Sequence, residues 1–266
     1  MAPPREIAEA LLIAGDRLGP MEGRLVWHDE ADSTNTIALG LAEHGADEGT
    51  VVAADRQTAG RGRRGRTWAS PAGAGIYASV VLRPSLRAAP LLTIAAGVGI
   101  AEGIAVASGL QCDLKWPNDV HVGDRKLAGI LAEGTAGRVV VGFGINVRPA
   151  SMPPDVAARA TSIGSELGRD VDRGLVLVEC LAALWQRYQH VEARRERDVL
   201  DAWRARAGRT MGRPIQWHPP SLPEGQLRRG KPAERGTMVG IDEEGALLMD
   251  TGERVVRIVS GEVEWL

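Results

Sequence analysis

The densest set of chemistry-bearing side chains is the run QTAGRGRRGRTW at residues 57–68, where Arg61, Arg63, Arg64 and Arg66 are interleaved with Gly60, Gly62 and Gly65. Glycines let a backbone approach a ligand closely and take conformations closed to other residues. Guanidiniums offer forked donors that fit phosphate and carboxylate. A loop so composed is suited to folding over an anion. It formally satisfies GxGxxG, but that motif holds pyrophosphate only where a strand runs straight into a helix. Here Pro71, Gly73 and Gly75 leave no room for a helix before the strand at Ile76. The acidic residue expected about 20 positions further on is also missing. A P-loop fails for want of Gly-Lys-Ser/Thr, and a kinase-type loop for want of HRD and DFG partners. Two plainer readings stay open. One is an RNA-binding arginine/glycine tract, which normally repeats. The other is a solvated charged loop, which has no need of this glycine spacing.

A second cluster pairs KWPND at 115–119 with KLAGILAE at 126–133. A strand ends at a Trp-Pro corner, and Asn118 and Asp119 present polar groups in the turn. Lys126 opens an otherwise apolar strand and suits a carboxylate or phosphate; its alternative is an edge lysine that blunts aggregation. Asp119 can help hold Mg²⁺ or cap the turn. Ser33, Thr34 and Asn35 stand at a helix start, where capping is the commoner role. Asn146, near the end of VVVGFGINV, is similarly open. His28, His44, His121, His190 and His218 lack metal-ligand spacing, and there is no cysteine pair, which argues against zinc. Cys112 and Cys180 are far apart in apolar contexts and read as buried thiols of a reducing compartment.

The elements that must position these residues follow from periodicity. Residues 5–18 place Ile7, Ala8, Leu11 and Leu12 on one face of a single short helix. The strand RLVWHDE precedes a helix capped by Asp32 or Ser33 and ending near Gly45. TVVAAD, the arginine loop and IYASVVL come next, then an apolar helix near 91–109. LKW, VHV, KLAGILAE and VVVGFGINV are joined by tight turns at Gly123-Asp124 and from Thr135 to Gly137, so they form an antiparallel meander. From Asp172 the pattern is helical, with Leu177, Leu181, Leu184, Trp185 and Tyr188 on one face and Gly208 as C-cap. RPIQW, TMVGIDEEG, ALLMDT and RVVRIVS then build a small β-barrel. A Pro-rich insertion between Pro219 and Pro232 is expected to be a mobile surface loop. The division is 1–208 for the larger domain and 209–266 for the smaller.

Composition narrows the function classes. With 44% hydrophobic and 25% charged residues, the 266-residue chain is globular rather than disordered. A net charge of −2 gives no global field for nucleic acid or anionic membrane, so anion recognition must be local. The N-terminus lacks a basic region followed by an apolar one, so no secretory signal is expected. The apolar stretch from Ala88 to Leu110 is broken by Pro90 and Glu102 and reads as a packed helix, not a membrane span. The default location is the cytoplasm.

Taken in order, STN, QTAGRGRRGR-W, KWPND-(x)6-KLAGIL and GFGIN resemble the biotin–protein ligase family over nearly the whole chain from Val26. The resemblance implies an α+β fold: a mixed, largely antiparallel sheet flanked by helices, related to class II tRNA synthetases, and a small C-terminal SH3-like β-barrel. It implies that Ser33, Thr34, Asn35 and Gln57 hydrogen-bond biotin. Arg61, Gly62 and Arg63 would lie in a loop that orders over biotin and the adenylate, with Arg64, Arg66 and Trp68 in the same loop. Lys126 would meet the biotin carboxylate and the α-phosphate, so Lys126, Arg63 and Arg61 are the expected catalytic residues. Asn118 and Asn146 are expected on the adenylate side, and Asp119 toward Mg²⁺ carried by ATP.

The implied reaction is attack of the biotin carboxylate on the ATP α-phosphorus, then transfer from biotinyl-5′-AMP to a lysine of a biotin carboxyl carrier protein. No enzyme nucleophile is needed, in keeping with the lack of any Ser/His or Cys/His constellation. Too few residues precede Val26 for a winged helix-turn-helix, so DNA binding and repression are not expected; nor is membrane association. A monomer or homodimer is expected. The insertion after Trp217 and the ending EVEWL depart from the family pattern and leave open any nucleotide contact by the terminal barrel. Two rival functions are a lipoate or octanoate ligase on the same fold and a non-catalytic nucleotide- or nucleic-acid-binding protein.

Overall fold

The computed structural model describes residues 1–135, 137–150, 154–220 and 233–266. The expected surface loop between Pro219 and Pro232 falls, beyond Pro220, outside them.

Helix α1 (Arg5–Ala14) gives way to 3-10 turns over Gly15–Met21. The single helix expected over 5–18 is therefore broken at Gly15, which takes positive φ. A side chain at Gly19 would collide with the Trp185 indole. The buried face of α1 is Ile7, Ala10 and Ala14, while Leu12 is 83% exposed, against the expected stripe.

Strands β1 (Leu25–Ala31) and β2 (Val51–Gln57) pair in parallel across α2 (Thr34–Glu43), the one parallel pair among the described strands of the larger sheet. Next come β3 (Gly75–Leu82), the apolar α3 (Leu92–Ser108), and the meander β4 (Asp113–Lys115), β5 (Asp119–Val122), β6 (Arg125–Thr135) and β7 (Arg138–Asn146). All of these pair antiparallel, giving seven strands in the order β1-β2-β3-β7-β6-β5-β4. Gly123 takes positive φ in the expected β5–β6 turn.

Side chains alternate across a strand, so each strand serves two faces. On one face Ile76, Ala78, Val80, Val141, Phe143 and Ile145 join the main core. There α3 packs with α6 (Arg173–Glu192) so closely that a Cβ at Gly103 would lie 2.4 Å from Cys180 Cα. Ala89–Ser108 is long and apolar enough to cross a membrane, yet most of it is buried inside the protein. Both cysteines are buried there too, and burial pushes the Cys112 thiol up to about 12. On the other face α2 rests its Ala38 and Ala42 on Val52, Val81 and Val140. Beside it the same face carries glycines and polar residues.

Two short helices, α4 (Pro154–Ala157) and α5 (Ile163–Leu167), precede α6; α7 (Glu196–Arg206) follows it. Helix α7 is capped by Ala207, so Gly208 lies one residue past the cap expected there. Strands β8 (Pro214–His218), β9 (Glu234–Ile241), β10 (Leu247–Asp250), β11 (Val255–Ile258) and β12 (Glu262–Trp265) form an antiparallel sheet in the order β11-β10-β9-β8-β12. The last strand, drawn from EVEWL, was not anticipated. Trp116 fastens this sheet to the larger one, its Nε1 donating to Gly245 O at 2.9 Å.

Candidate active site

Cross-strand partners share a face. The register sets Lys115 opposite Asp119, Asp119 opposite Gly129, Gly129 opposite Gly144, and Gly144 opposite Tyr77. One row over, Leu131, Gly142 and Ser79 align. The glycines leave this face bare where its neighbours would fill it. A Cβ at Gly144 would lie 2.3 Å from Trp68 Nε1, and one at Gly142 would lie 1.8 Å from Asn35 Oδ1. The result is a cavity of about 1030 Å³ floored by β6 and β7 and closed by the arginine loop and β12. Every residue singled out above for binding or catalysis lines it.

At the β1–β3 end the lining is neutral and rich in donors and acceptors. Ser33 takes the N-cap position of α2 but makes no side-chain cap; instead Asp32 Oδ1 accepts from the Ser33 amide at 2.6 Å. Gln57 Oε1 accepts from the Thr34 amide at 2.8 Å, and its Nε2 donates to Ser70 Oγ at 2.8 Å. Ser79 Oγ lies 2.8 Å from Thr34 Oγ1 and 2.6 Å from Asn35 Oδ1, while Asn35 Nδ2 donates to Glu133 Oε2 at 2.8 Å. Buried polar groups locked by this many partners hold their rotamers, which suits recognition of a neutral polar ring.

At the β6–β4 end the lining is cationic. Lys126 Nζ stands 2.6 Å from Asp119 Oδ1 and 5.4 Å from the Trp68 ring centroid. Burial pushes Asp119 upward, but the Lys126 ammonium more than offsets it and holds the carboxyl at about 2. The Lys126 backbone is pinned on both sides: its amide donates to Arg159 O and its carbonyl accepts from Thr161. Asn146 donates to Thr161 O at 2.9 Å, closing the same wall.

The arginine loop contains one 3-10 turn, Arg63–Gly65, with Arg64 at φ +57 and Gly65 at φ +72; no α-helix follows it before β3. Its guanidiniums reach β6, the turn at Asn118, β12 and, through Arg64 donating to His218 O, β8. Arg61 pairs with Glu133 on β6 at 2.5 Å. Arg63 donates to Asn118 Oδ1 at 3.2 Å and to Gly261 O at 3.3 Å. Arg64 and Arg66 both pair with Glu262 on β12. Asn118 in turn donates to Ile130 O at 2.8 Å, so its amide braces the loop against β6.

The chain matches the Biotin/lipoate A/B protein ligase family over residues 23–149 and the Biotin protein ligase C terminal domain over residues 226–265. It is 36% identical to the bifunctional ligase/repressor BirA of Bacillus subtilis, over 98% of this chain and 80% of that one. The chain belongs to the biotin protein ligase family. Its similarity to the biotin–[acetyl-CoA-carboxylase] ligase of Mycobacterium tuberculosis is 37% over 88% of this chain and 86% of that one. Among solved structures, the biotin protein ligase of Aquifex aeolicus in complex with biotin and ATP superposes with a TM-score of 0.77 at 30% identity, covering 92% and 99% of the two chains.

Several members of this ligase site were not singled out from the sequence. Gly129, Gly142 and Gly144 carry a local signal, since glycine inside a strand marks close approach of another group. Glu262 and Trp265 have none, because they join the cavity only through contacts across the chain; Lys115 opens the KWPND motif but takes no role of its own from it. Among the described residues no group of three His, Cys, Asp or Glu side chains could hold an ion. Asp119, the carboxylate expected toward Mg²⁺, pairs with Lys126 at 2.6 Å.

Proposed function

We propose that the chain activates biotin with ATP and transfers it to a lysine of a biotin carboxyl carrier protein. The observation that carries this reading is the division of the cavity, with a neutral, locked donor–acceptor end joined to a cationic end at Lys126. Biotin supplies a neutral ureido ring at one end and a carboxylate at the other. On this reading Ser33, Thr34, Asn35 and Gln57 receive the ring, and Lys126 receives the carboxylate and the α-phosphate. Arg61 and Arg63 orient the reactants, Gly62 lets the loop come close, and Arg64, Arg66 and Trp68 cover the adenylate. Asn118 and Asn146 flank the nucleotide.

A carboxylate oxygen of biotin attacks the α-phosphorus, the bond to the bridging oxygen breaks, and pyrophosphate leaves. The neutral amine of the carrier lysine then attacks the acyl carbon, loses a proton, and expels AMP. Both steps need alignment and cations opposing negative charge at phosphorus rather than an enzyme nucleophile. A loop closed over the mixed anhydride keeps water out. The unit division is 1–208 for catalysis and 209–266 for the terminal SH3-like sheet. We place the protein in the cytoplasm as a monomer or homodimer.

The test is transfer: purified chain, ATP, biotin and a carrier domain, with biotin incorporation read by avidin capture. Biotin added to the carrier lysine and not displaced by excess lipoate supports the reading. Incorporation of lipoate or octanoate in its place would favour the acyl-ligase alternative.

A further inference from the structure

Among the cations lining the cavity, Lys115 differs in its surroundings. Lys126 pairs with Asp119, Arg61 with Glu133, and Arg64 and Arg66 with Glu262, while Arg63 donates to Asn118 and Gly261. Lys115 has neither ion pair nor hydrogen bond with any described residue. Its Nζ instead lies 4.3 Å from the ring centroid of Trp265, the penultimate residue, whose indole also carries the Arg213 guanidinium at 4.1 Å. The His121 ring tilts against the same indole at 5.2 Å. His121 is 5% exposed, neither of its ring nitrogens has a hydrogen-bond partner, and its Nε2 stops 3.9 Å from Asp119 Oδ2. An aromatic face can hold an ammonium in place without neutralising it. A half-buried ammonium so held, beside a buried imidazole, can meet an anion that enters the cavity.

Position says which anion. Along the sheet the cavity runs from the neutral end near β1–β3, past Lys126 on β6, to Lys115 on β4 at the edge. If Lys126 marks the α-phosphate, the next group in line is the one that departs. We infer that Lys115, held by Trp265 and flanked by His121, is the subsite for the leaving pyrophosphate, with Lys115 touching it and Trp265 acting as a positioning residue. This rests on the adenylation reading above. The terminal sheet thereby enters the reaction through its last strand.

The experiment is calorimetric titration of inorganic pyrophosphate, and separately of biotin, into the full chain and its K115Q, W265F and W265A variants. Orthophosphate and AMP serve as controls. Lys115→Gln should weaken pyrophosphate binding about tenfold or more, the loss of one charge-assisted contact, and leave biotin affinity within about twofold. Trp265→Phe, which keeps an aromatic face, should bind pyrophosphate nearly as the parent does, whereas Trp265→Ala should behave like K115Q. In pyrophosphate exchange, K115Q should raise KM for pyrophosphate more than it lowers kcat. A K115Q variant that binds biotin and pyrophosphate as the parent does would overturn the assignment, as would a parent that binds no pyrophosphate. Titration needs no turnover, so a chain that binds pyrophosphate but shows no biotin-dependent chemistry would instead count against the adenylation reading. If W265A does not fold, the comparison of K115Q with the parent still decides.

Discussion

Lys126 stands where the neutral and cationic ends of the cavity meet, its ammonium 2.6 Å from a carboxylate and its backbone tied to Arg159 and Thr161. Lys126→Ala should therefore abolish biotin-dependent pyrophosphate release while the chain stays folded, as circular dichroism would report; near-parental release would remove Lys126 from the mechanism. Asp119 carries a pH signature. Its carboxyl is held at about 2, below the ordinary aspartate value near 4. Its ionised form thus contributes stability that is fully present at neutral pH and is lost as pH falls from about 4 through about 2. Asp119→Asn should lower the urea midpoint at pH 7 by the equivalent of about 1–2 kcal/mol and should erase most of that difference by pH 2. An unchanged difference at the two pH values would contradict the pairing. At this scale the sequence was informative wherever a residue sat in a local motif, as with Ser33, Gln57, Lys126 and the arginines. It was silent on Glu262 and Trp265, because nothing local marks a side chain whose partners, such as Arg64 and Lys115, lie far away along the chain.

The strands explain why so many glycines stand in VVVGFGINV and KLAGIL. Gly129 and Gly144 sit opposite one another and leave a flat bed for the Trp68 indole. Gly144→Val should displace Trp68, raise KM for ATP by about tenfold or more, and cost about 1–3 kcal/mol of stability from overpacking. A variant with parental kinetics would show that the bed is not used. The arginine loop is an element of its own, hung between Asn118, Glu133 and β12. Arg63→Ala removes its bonds to Asn118 and Gly261 and should let the adenylate escape, so that biotin appears on lysines of a bystander protein; escape no faster than from the parent would refute that role. Most elements were legible because apolar periodicity marks them, including the meander and the buried α3. The exceptions are physical. A glycine at positive φ cuts the first helix at Gly15, and the parallel pairing of β1 with β2 depends on a crossover that short turns do not announce.

Across the whole molecule, two constructions hold the cavity together. On the core side Arg173, 4% exposed, bonds Glu6 of α1 at 2.7 Å and Asp55 of β2 at 2.7 Å. Removing a buried partner leaves the others unpaired, so Arg173→Ala should cost about 3–5 kcal/mol and lower the thermal midpoint by many degrees. On the open side the terminal sheet closes the cavity with Gly261, Glu262 and Trp265, a role that the departing sequence of EVEWL had left open. Adenylation is the step that every part of the cavity serves. ATP–pyrophosphate exchange by the purified chain, with biotin, with lipoate and with neither, tests it most directly. Exchange that requires biotin and ignores lipoate is the predicted result; no exchange from a folded chain, or exchange supported by lipoate alone, would contradict it.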